Sequence, residues 1–204
     1  MTAQYLDRYE GPEFEPYVTA LGKFALAWNA LQSDLCQLFS IVTLERRPMA
    51  GEMVNVVPTL VWYSIKSDRS QRDMLEAAIT HSSLAKGNDL AKSGKWLCDR
   101  VGDLENRRND ILHSPLIVYH QGKDTRTIIP NIFSGSPRAK ALLGADNLLE
   151  EFWSARHNAI LLSGYAQSLF MVLLNPHVPW PNKPSLQGRH PKGKTAVPAP
   201  TSHK

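Results

Sequence analysis

The feature that most constrains the fold of this chain is a long helical periodicity that begins near Pro16 and ends before Pro48. Apolar side chains recur there at spacings of three and four residues, at Leu21, Phe24, Trp28, Leu31, Leu35, Leu38 and Val42. This spacing places them on one wide stripe of a single amphipathic α-helix. Because such a stripe has to be buried, the pattern predicts further elements packed against this helix.

The rest of the chain predicts more helices and one hairpin. Residues 59–65 fit a short helix or a strand, and Pro58 favours the helix because proline is common at the first helical position. Further helices are predicted over residues 68–84, 89–113 and 147–174, capped by Asp68, Asp89 and Asp146. Two short runs, residues 116–119 and 126–129, predict a β-hairpin, and residues 136–144 a short helical turn. The predicted fold class is all-α: a bundle of four to five helices with a small β-hairpin insertion after the helix that ends at His113.

Composition predicts one domain with a flexible segment at each end. The 204 residues are 43% hydrophobic and 21% charged, which is typical of a globular domain. We expect a loose lead-in over residues 1–15, a helical domain over residues 16–175 and a disordered basic tail over residues 176–204. The tail has seven of the fourteen prolines, five basic residues and no acid. Because the whole chain carries +4, the body carries −1. Such a tail either only solubilises the chain or adds salt-sensitive affinity for nucleic acid.

Cysteine usage and hydropathy predict a cytoplasmic protein that does not enter a membrane. Cys36 and Cys98 lie in helical patterns beside apolar residues, which predicts buried, reduced thiols and too few ligands for a structural zinc site. The start of the chain lacks the basic and apolar regions of a secretory signal. The apolar run over residues 159–174 is shorter than the ~20 residues that span a bilayer, and Gln167 interrupts it, so we expect a central bundle helix.

The candidate functional residues are Arg108, Asn109 and His113, at the end of the helix predicted over residues 89–113. Asn109 and His113 are four residues apart and therefore share a helix face. Arginine can bind a phosphate through two hydrogen bonds, and histidine can transfer protons near neutral pH. Together these groups are suited to phosphoryl chemistry.

A structural role for the same residues remains open. Arg108 falls on the apolar stripe of its helix, where an arginine has to be paired or at an interface. It would then pair with Glu105 or Asp110, and His113 would cap the helix. Among the remaining candidates, the Glu150–Glu151 pair is predicted to favour a helix start and not to catalyse, and Trp62 to lie in the core or at an interface. His81, His120 and His157 are predicted at the surface.

Residues 105–115, at the end of a long helix in a helical chain, resemble the signature of the HEPN superfamily. That signature is an arginine, usually followed by a polar residue, with a histidine a few positions later. Arg108-Asn109-x3-His113 fits it, and Arg107 also fits with one more intervening residue. The first helix is similar to that of HEPN domains in its large apolar residues, Phe24, Trp28, Leu31, Leu35 and Phe39. The resemblance covers about residues 17–174.

The resemblance implies a homodimer in which two motif helices meet across a two-fold axis. It implies a metal-independent endoribonuclease without a cofactor, of the kind found in toxin–antitoxin and phage-defence systems. His113 would transfer protons, Arg108 would stabilise phosphoryl charge and Asn109 would orient the phosphate or the histidine. The partners implied are RNA, a second copy, and an antitoxin or other protein. Catalytically inactive members bind nucleotides or proteins, and a structural helical dimer is a third alternative.

Overall fold

A computed structural model describes residues 11–44, 46–48, 55–85, 89–114, 116–121, 125–131, 135–142 and 147–188. Six α-helices lie in this part of the chain: α1 Glu15–Val42, α2 Val57–Ser64, α3 Asp68–His81, α4 Leu90–His113, α5 Pro137–Leu142 and α6 Leu148–Leu174. A 3-10 turn, Ser83–Ala85, precedes α4, and the strands β1 Leu116–Gln121 and β2 Thr125–Pro130 follow it. The predicted all-α class with a small hairpin is confirmed.

The core forms where α1 packs along α6, and α4 covers the other side of α6. The predicted apolar stripe of α1 faces this core, since Phe24, Leu31, Leu35 and Leu38 are almost completely buried, and only Leu21 is half-buried. A polar bridge crosses the same contact, where the carboxylate of Asp34 accepts hydrogen bonds from Ser163 and Gln167 of α6. α3 then packs on both α4 and α1.

α6 is the central helix of the bundle, as predicted. Its buried residues include Phe152, Ala159, Leu162 and Leu169, which lie against α1 and α4. By length and composition it is also the one helix in the described ranges that qualifies to cross a membrane. Its packing between two amphipathic helices accounts for that composition, because a helix covered on several sides is apolar around most of its circumference.

Two helix starts differ from the prediction by one residue. Ser67, not Asp68, caps α3, and its side chain accepts a hydrogen bond from the Ser70 amide. Asn147 caps α6 and accepts from the amides of Leu149 and Glu150, while Asp146 lies outside the described residues. Both caps have the extended backbone that an N-cap requires. Asp68 is thereby free to make a tertiary contact.

The runs predicted as a hairpin form one, and the run that fitted either a helix or a strand is the helix α2. β1 and β2 pair antiparallel with Val118 opposite Ile128, and Ile128 is buried. The connecting residues 122–124 lie outside the described part. The run after Pro58 is helical, and its Trp62 is completely buried against Phe39. The same helix leaves Val57, Leu60 and Tyr63 mostly exposed.

Residues at both ends of the predicted domain are more ordered than expected. Residues 11–14 form a turn, and Phe14 is buried, so the loose lead-in is wrong for this stretch. Residues 175–188, called the strap below, were predicted to be disordered from residue 176 onward. They instead form a turn at residues 176–178 and then an extended segment in the groove between α4 and α6, which is held by the contacts of Trp180 and Gln187. Residues 1–10 and 189–204 lie outside the described residues.

Candidate functional site at the end of α4

The side chain of Arg108 leaves α4 toward α3 and α1. Its Nη1 donates to Oδ2 of Asp68 at 2.9 Å and to Oδ1 of Asn109 at 3.2 Å. The guanidinium carbon lies 5.2 Å from the centre of the Trp28 ring, which is a cation–π contact. The guanidinium is therefore held by an acid, an amide and an aromatic ring.

This arrangement still leaves part of Arg108 available. Its side chain is 26% exposed, as is that of Asp68. Both described hydrogen bonds use Nη1, and Nε is buried without a partner. Because a guanidinium carries five N–H groups, those on Nη2 are not used by the described contacts. An anion that approaches the exposed edge can accept from them.

Asn109 and His113 complete the predicted set. Asn109 is half-buried and orients the Arg108 guanidinium through its Oδ1 atom. His113 is the last residue of α4 and is exposed. Within the described ranges its imidazole makes no hydrogen bond or ion pair, so the expected alternative of a histidine that caps the helix is not seen. A solvent-accessible imidazole can exchange protons with a bound ligand.

Arg107 has a different role from its neighbour. It is 6% exposed, and its Nε donates to Glu151 at 2.9 Å and its Nη2 to the Ser154 hydroxyl at 3.1 Å. Its Nη1 donates to the carbonyl oxygen of Gln187 in the strap at 3.2 Å. This pairing occupies every nitrogen of the guanidinium, so Arg107 is a structural residue.

Three expectations about these arginines are corrected. The buried arginine of α4 is Arg107 and not Arg108. Arg107 is three residues after the buried Leu104 and Arg108 is four residues after it, and both spacings can place a side chain on the same helix face. Arg108 pairs with Asp68, whereas Glu105 pairs with Arg72 of α3. Glu151 serves as a buried ion-pair partner, which the prediction of a charge at the helix start did not include.

Asp68 and Trp28 belong to the site, although no sequence pattern predicted a role there for either residue. Trp28 was predicted only as a core residue and Asp68 only as a helix cap. They reach Arg108 from positions 80 and 40 residues earlier in the chain, and no local spacing relates them to it. Because Ser67 caps α3, the carboxylate of Asp68 is not needed as the cap and can bind elsewhere. The serine before Asp68 is the sequence feature that could have suggested this second role.

A cleft of about 390 Å³ lies on another side of α4, between α4, α6 and the strap. Its walls include Trp96, Leu104, Arg107, Asn158 and Leu186. The polar groups at its base are already paired, since Arg107 and Asn158 both bind the backbone of Gln187. The cleft is therefore separate from the Arg108 site and is closed on one side by the strap.

The remaining reactive side chains do not form a second centre. Both thiols are buried and free, as predicted, and burial raises the pKa of Cys98 to about 12 and that of Cys36 above its usual value. Thiols in this state are poor nucleophiles. His81 and His157 are exposed, as predicted, and the side chain of His120 is not described. Across the described ranges, no three His, Cys, Asp or Glu side chains lie close enough to hold a metal ion.

The chain matches no protein-family model, no curated protein and no solved structure to a significant degree. The site consists of a fixed guanidinium, an amide and an exposed imidazole on the last two turns of one helix.

Proposed function

We propose that this protein is a metal-independent endoribonuclease of the HEPN type, which acts in the cytoplasm as a homodimer. The observation that carries the proposal is that one helix end bears both a fixed arginine and an exposed histidine, whose imidazole makes no hydrogen bond or ion pair with the residues that the structure describes. Arg108 is oriented by Asp68 and Trp28, and His113 lies five residues further along α4. A cation with free N–H groups and a proton-transfer group are the two components that RNA transesterification needs.

The reaction would proceed by attack of the RNA 2′-hydroxyl oxygen on the adjacent phosphorus. The 2′-O–P bond forms, the bond from phosphorus to the 5′ oxygen breaks, and the products are a 2′,3′-cyclic phosphate and a 5′-hydroxyl. The free Nη2 edge of Arg108 would stabilise the charge on the phosphoryl oxygens. His113 would take the proton of the 2′-hydroxyl or supply one to the leaving oxygen. Asn109 would keep Nη1 of Arg108 engaged, so that Nη2 faces the phosphate.

A homodimer would supply both proton-transfer roles. One His113 would act as the base, and His113 of the partner subunit as the acid, once the two motif helices meet at a two-fold axis. A protein of this kind would serve in a toxin–antitoxin or phage-defence system, with a protein partner that restrains it.

A second candidate function is a catalytically inactive module that binds a nucleotide or a protein. The specific observation in its favour is the ion pair of Arg108 with Asp68, because a carboxylate at 2.9 Å already neutralises the guanidinium. An arginine held in this way can contribute to recognition without stabilising a transition state.

Cleavage of a mixed RNA pool in the presence of EDTA separates the two candidates. We expect the wild-type protein to leave 2′,3′-cyclic phosphate ends, and His113→Ala to lose about 100-fold or more of the rate, because general acid–base catalysis contributes that much. His157→Ala is the matched control, since His157 is also an exposed helical histidine but lies on α6. Absence of cleavage by a folded, dimeric wild type would favour the binding module. Undiminished cleavage by His113→Ala would reject the assignment of His113.

A further inference from the structure

The inner end of the cleft between α4, α6 and the strap is made of polar groups that already have hydrogen-bond partners. Arg107 and Asn158 line the cleft and are buried. Every nitrogen of the Arg107 guanidinium makes a hydrogen bond, and Asn158 binds both backbone groups of Gln187. A ligand with several polar edges would therefore meet paired groups at this end, and burying polar groups without partners is unfavourable.

The side walls of the cleft are largely apolar. Leu104 of α4 and Leu162 of α6 line it, and the strap adds the half-buried side chains of Pro184 and Leu186. The half-buried ring of Trp96 forms part of the same surface. The volume of about 390 Å³ is near the lower end of the range for small-molecule sites, which is roughly 300–1,000 Å³. Walls of this kind fit the hydrocarbon or aromatic body of a small ligand.

The mouth of the cleft is charged. Arg100 and Asp103 line it with side chains that are 44% and 63% exposed. Nη1 of Arg100 lies 3.0 Å from Oδ2 of Asp103, so the described contacts leave Nε and Nη2 of the guanidinium unused. The Lys183 ammonium lies 5.6 Å from the centre of the Trp96 ring. Two cations and one acid favour an anion here, and a guanidinium edge with two N–H groups can bind a carboxylate through two parallel hydrogen bonds.

We propose that this cleft binds a small carboxylic acid with an apolar body. The carboxylate binds Nε and Nη2 of Arg100, and the body lies against Trp96 and Leu186. The paired inner end disfavours a nucleotide base or a sugar, and the charged mouth favours an acid over its neutral amide. The site is separate from the Arg108 site and does not depend on the proposed ribonuclease function. Because the strap forms one wall, the ligand contacts it together with α4, and binding stabilises the docked strap.

Two acids that differ only in the class of their apolar body test the proposal. Naphthoate is aromatic, and decanoate is a straight chain. Binding to the full chain is followed by NMR through the indole N–H signals of its five tryptophans, and Trp96→Phe assigns the signal of Trp96. We expect this signal to shift to saturation. Trp153 is the internal control, because it lies on α6 beside Lys23 and Arg156 and does not line the cleft.

Substitutions at the mouth and in the wall should change the affinity in opposite directions. Arg100→Gln should weaken binding by about two- to fivefold, the range for a partly exposed ion pair. Asp103→Asn should strengthen it, because it removes the competing carboxylate. Leu186→Ala should weaken it several-fold, because the ligand then buries less apolar area. The matched control is Arg69→Gln on α3, which removes an exposed arginine that also pairs with an acid of its own helix, Asp73.

Absence of a saturable shift of the Trp96 signal with both acids would overturn the proposal. Equal affinity for naphthamide would also overturn it, because the charge would then have no part in recognition. Tighter binding of adenosine monophosphate than of either acid would do the same, as would an equal loss of affinity in Arg69→Gln and Arg100→Gln. Saturable binding of either acid that depends on Arg100 supports the proposal, and the tighter of the two identifies the body as aromatic or straight-chain. Arg100 and Asp103 are exposed, so their variants keep the test valid if Leu186→Ala fails to fold.

Discussion

Arg107 and Arg108 are neighbours in the chain, but the ion pair of Arg107 is buried and that of Arg108 is partly exposed. Arg107 is covered and shares its charge with Glu151, whose side chain is 3% exposed. Arg108 shares its charge with Asp68 at the protein surface, where solvent weakens the attraction. Removing either arginine therefore tests a different property, stability in the first case and the candidate site in the second.

We expect Arg107→Ala to lower the free energy of unfolding by about 3–5 kcal/mol, because it leaves the Glu151 carboxylate buried without a counter-charge. Arg108→Ala should cost about 1 kcal/mol or less, since its ion pair is partly exposed. Urea denaturation measures both. In a double variant, Glu151→Gln should recover much of the loss caused by Arg107→Ala. Equal costs for the two arginines would contradict this account.

The two cysteines should be unreactive in the folded protein. Burial raises the pKa of Cys98 to about 12 and raises that of Cys36, so both thiols stay protonated at pH 8, below the folded-state pKa. Only the thiolate attacks a disulfide reagent, and access is blocked as well. An aromatic disulfide reagent should therefore titrate two thiols in guanidinium and almost none in buffer. Rapid reaction of either thiol in native buffer would show that the helices open locally.

The contact between α3 and α4 depends on one small residue. A Cβ atom at Gly94 would lie 2.6 Å from Cδ1 and 2.7 Å from Cγ2 of Ile79. These distances are shorter than carbon atoms tolerate, so glycine lets the two helices approach closely. The same contact brings Arg72 of α3 to Glu105 of α4. The position of Asp68, at the start of α3, follows from this packing.

We expect Gly94→Ala to destabilise the protein by up to about 2 kcal/mol, because overpacking costs about 1–3 kcal/mol and the gain in helix propensity offsets about 1 kcal/mol of it. Gly22→Ala is the matched control, since nothing lies within 4 Å of a Cβ atom at that exposed helical position. It should stabilise the protein by about 1 kcal/mol. Thermal unfolding of the two variants measures the difference. A stabilising Gly94→Ala would show that α3 and α4 are not in close contact.

The strap follows α6 and contacts α4 both near its start, at Ser93, and in its C-terminal half, at Arg107. It packs Trp180 near the start of α4 and satisfies Arg107 and Asn158 near its other end. Both side chains are buried, so Nη1 of Arg107 and the amide group of Asn158 depend on the strap for the hydrogen bonds that they make in this structure. The helices that end at Asn175 therefore need the strap to complete their buried hydrogen bonds.

We expect a chain that ends at Gly188 to unfold at the same urea concentration as the full chain, because it keeps every described contact of the strap. A chain that ends at Asn175 should be less stable by about 2–6 kcal/mol, since Arg107 and Asn158 each lose a buried partner at about 1–3 kcal/mol. Equal midpoints for the two truncated chains would show that the strap contributes nothing to the fold.

The amino-acid sequence alone was sufficient for the helices, the hairpin and the placement of Arg108, Asn109 and His113 on one helix end. Helical periodicity, prolines and cap residues act over one or two turns, so a local pattern carries that information. Two such local patterns are the apolar stripe of α1 and the Ser114-Pro115 pair, which ends α4 before β1. The N-cap positions of α3 and α6 were missed by one residue, whereas Asp89 does precede α4 as predicted. Neighbouring polar residues each fit a cap until the backbone conformation is known.

Only the tertiary structure decided which arginine is buried and what holds the other. Leu104 is followed by arginines at both helical spacings, and the side of α4 that α6 and the strap cover selects Arg107. Asp68 and Trp28 meet Arg108 because three helices converge there, which no pattern within one segment encodes. The strap was mistaken for a disordered tail because its proline-rich composition is typical of disorder, whereas a few specific contacts, at Trp180 and at the backbone of Gln187, hold it in place. Composition averages over a segment, but the free energy of docking depends on single groups that find partners far away in the chain.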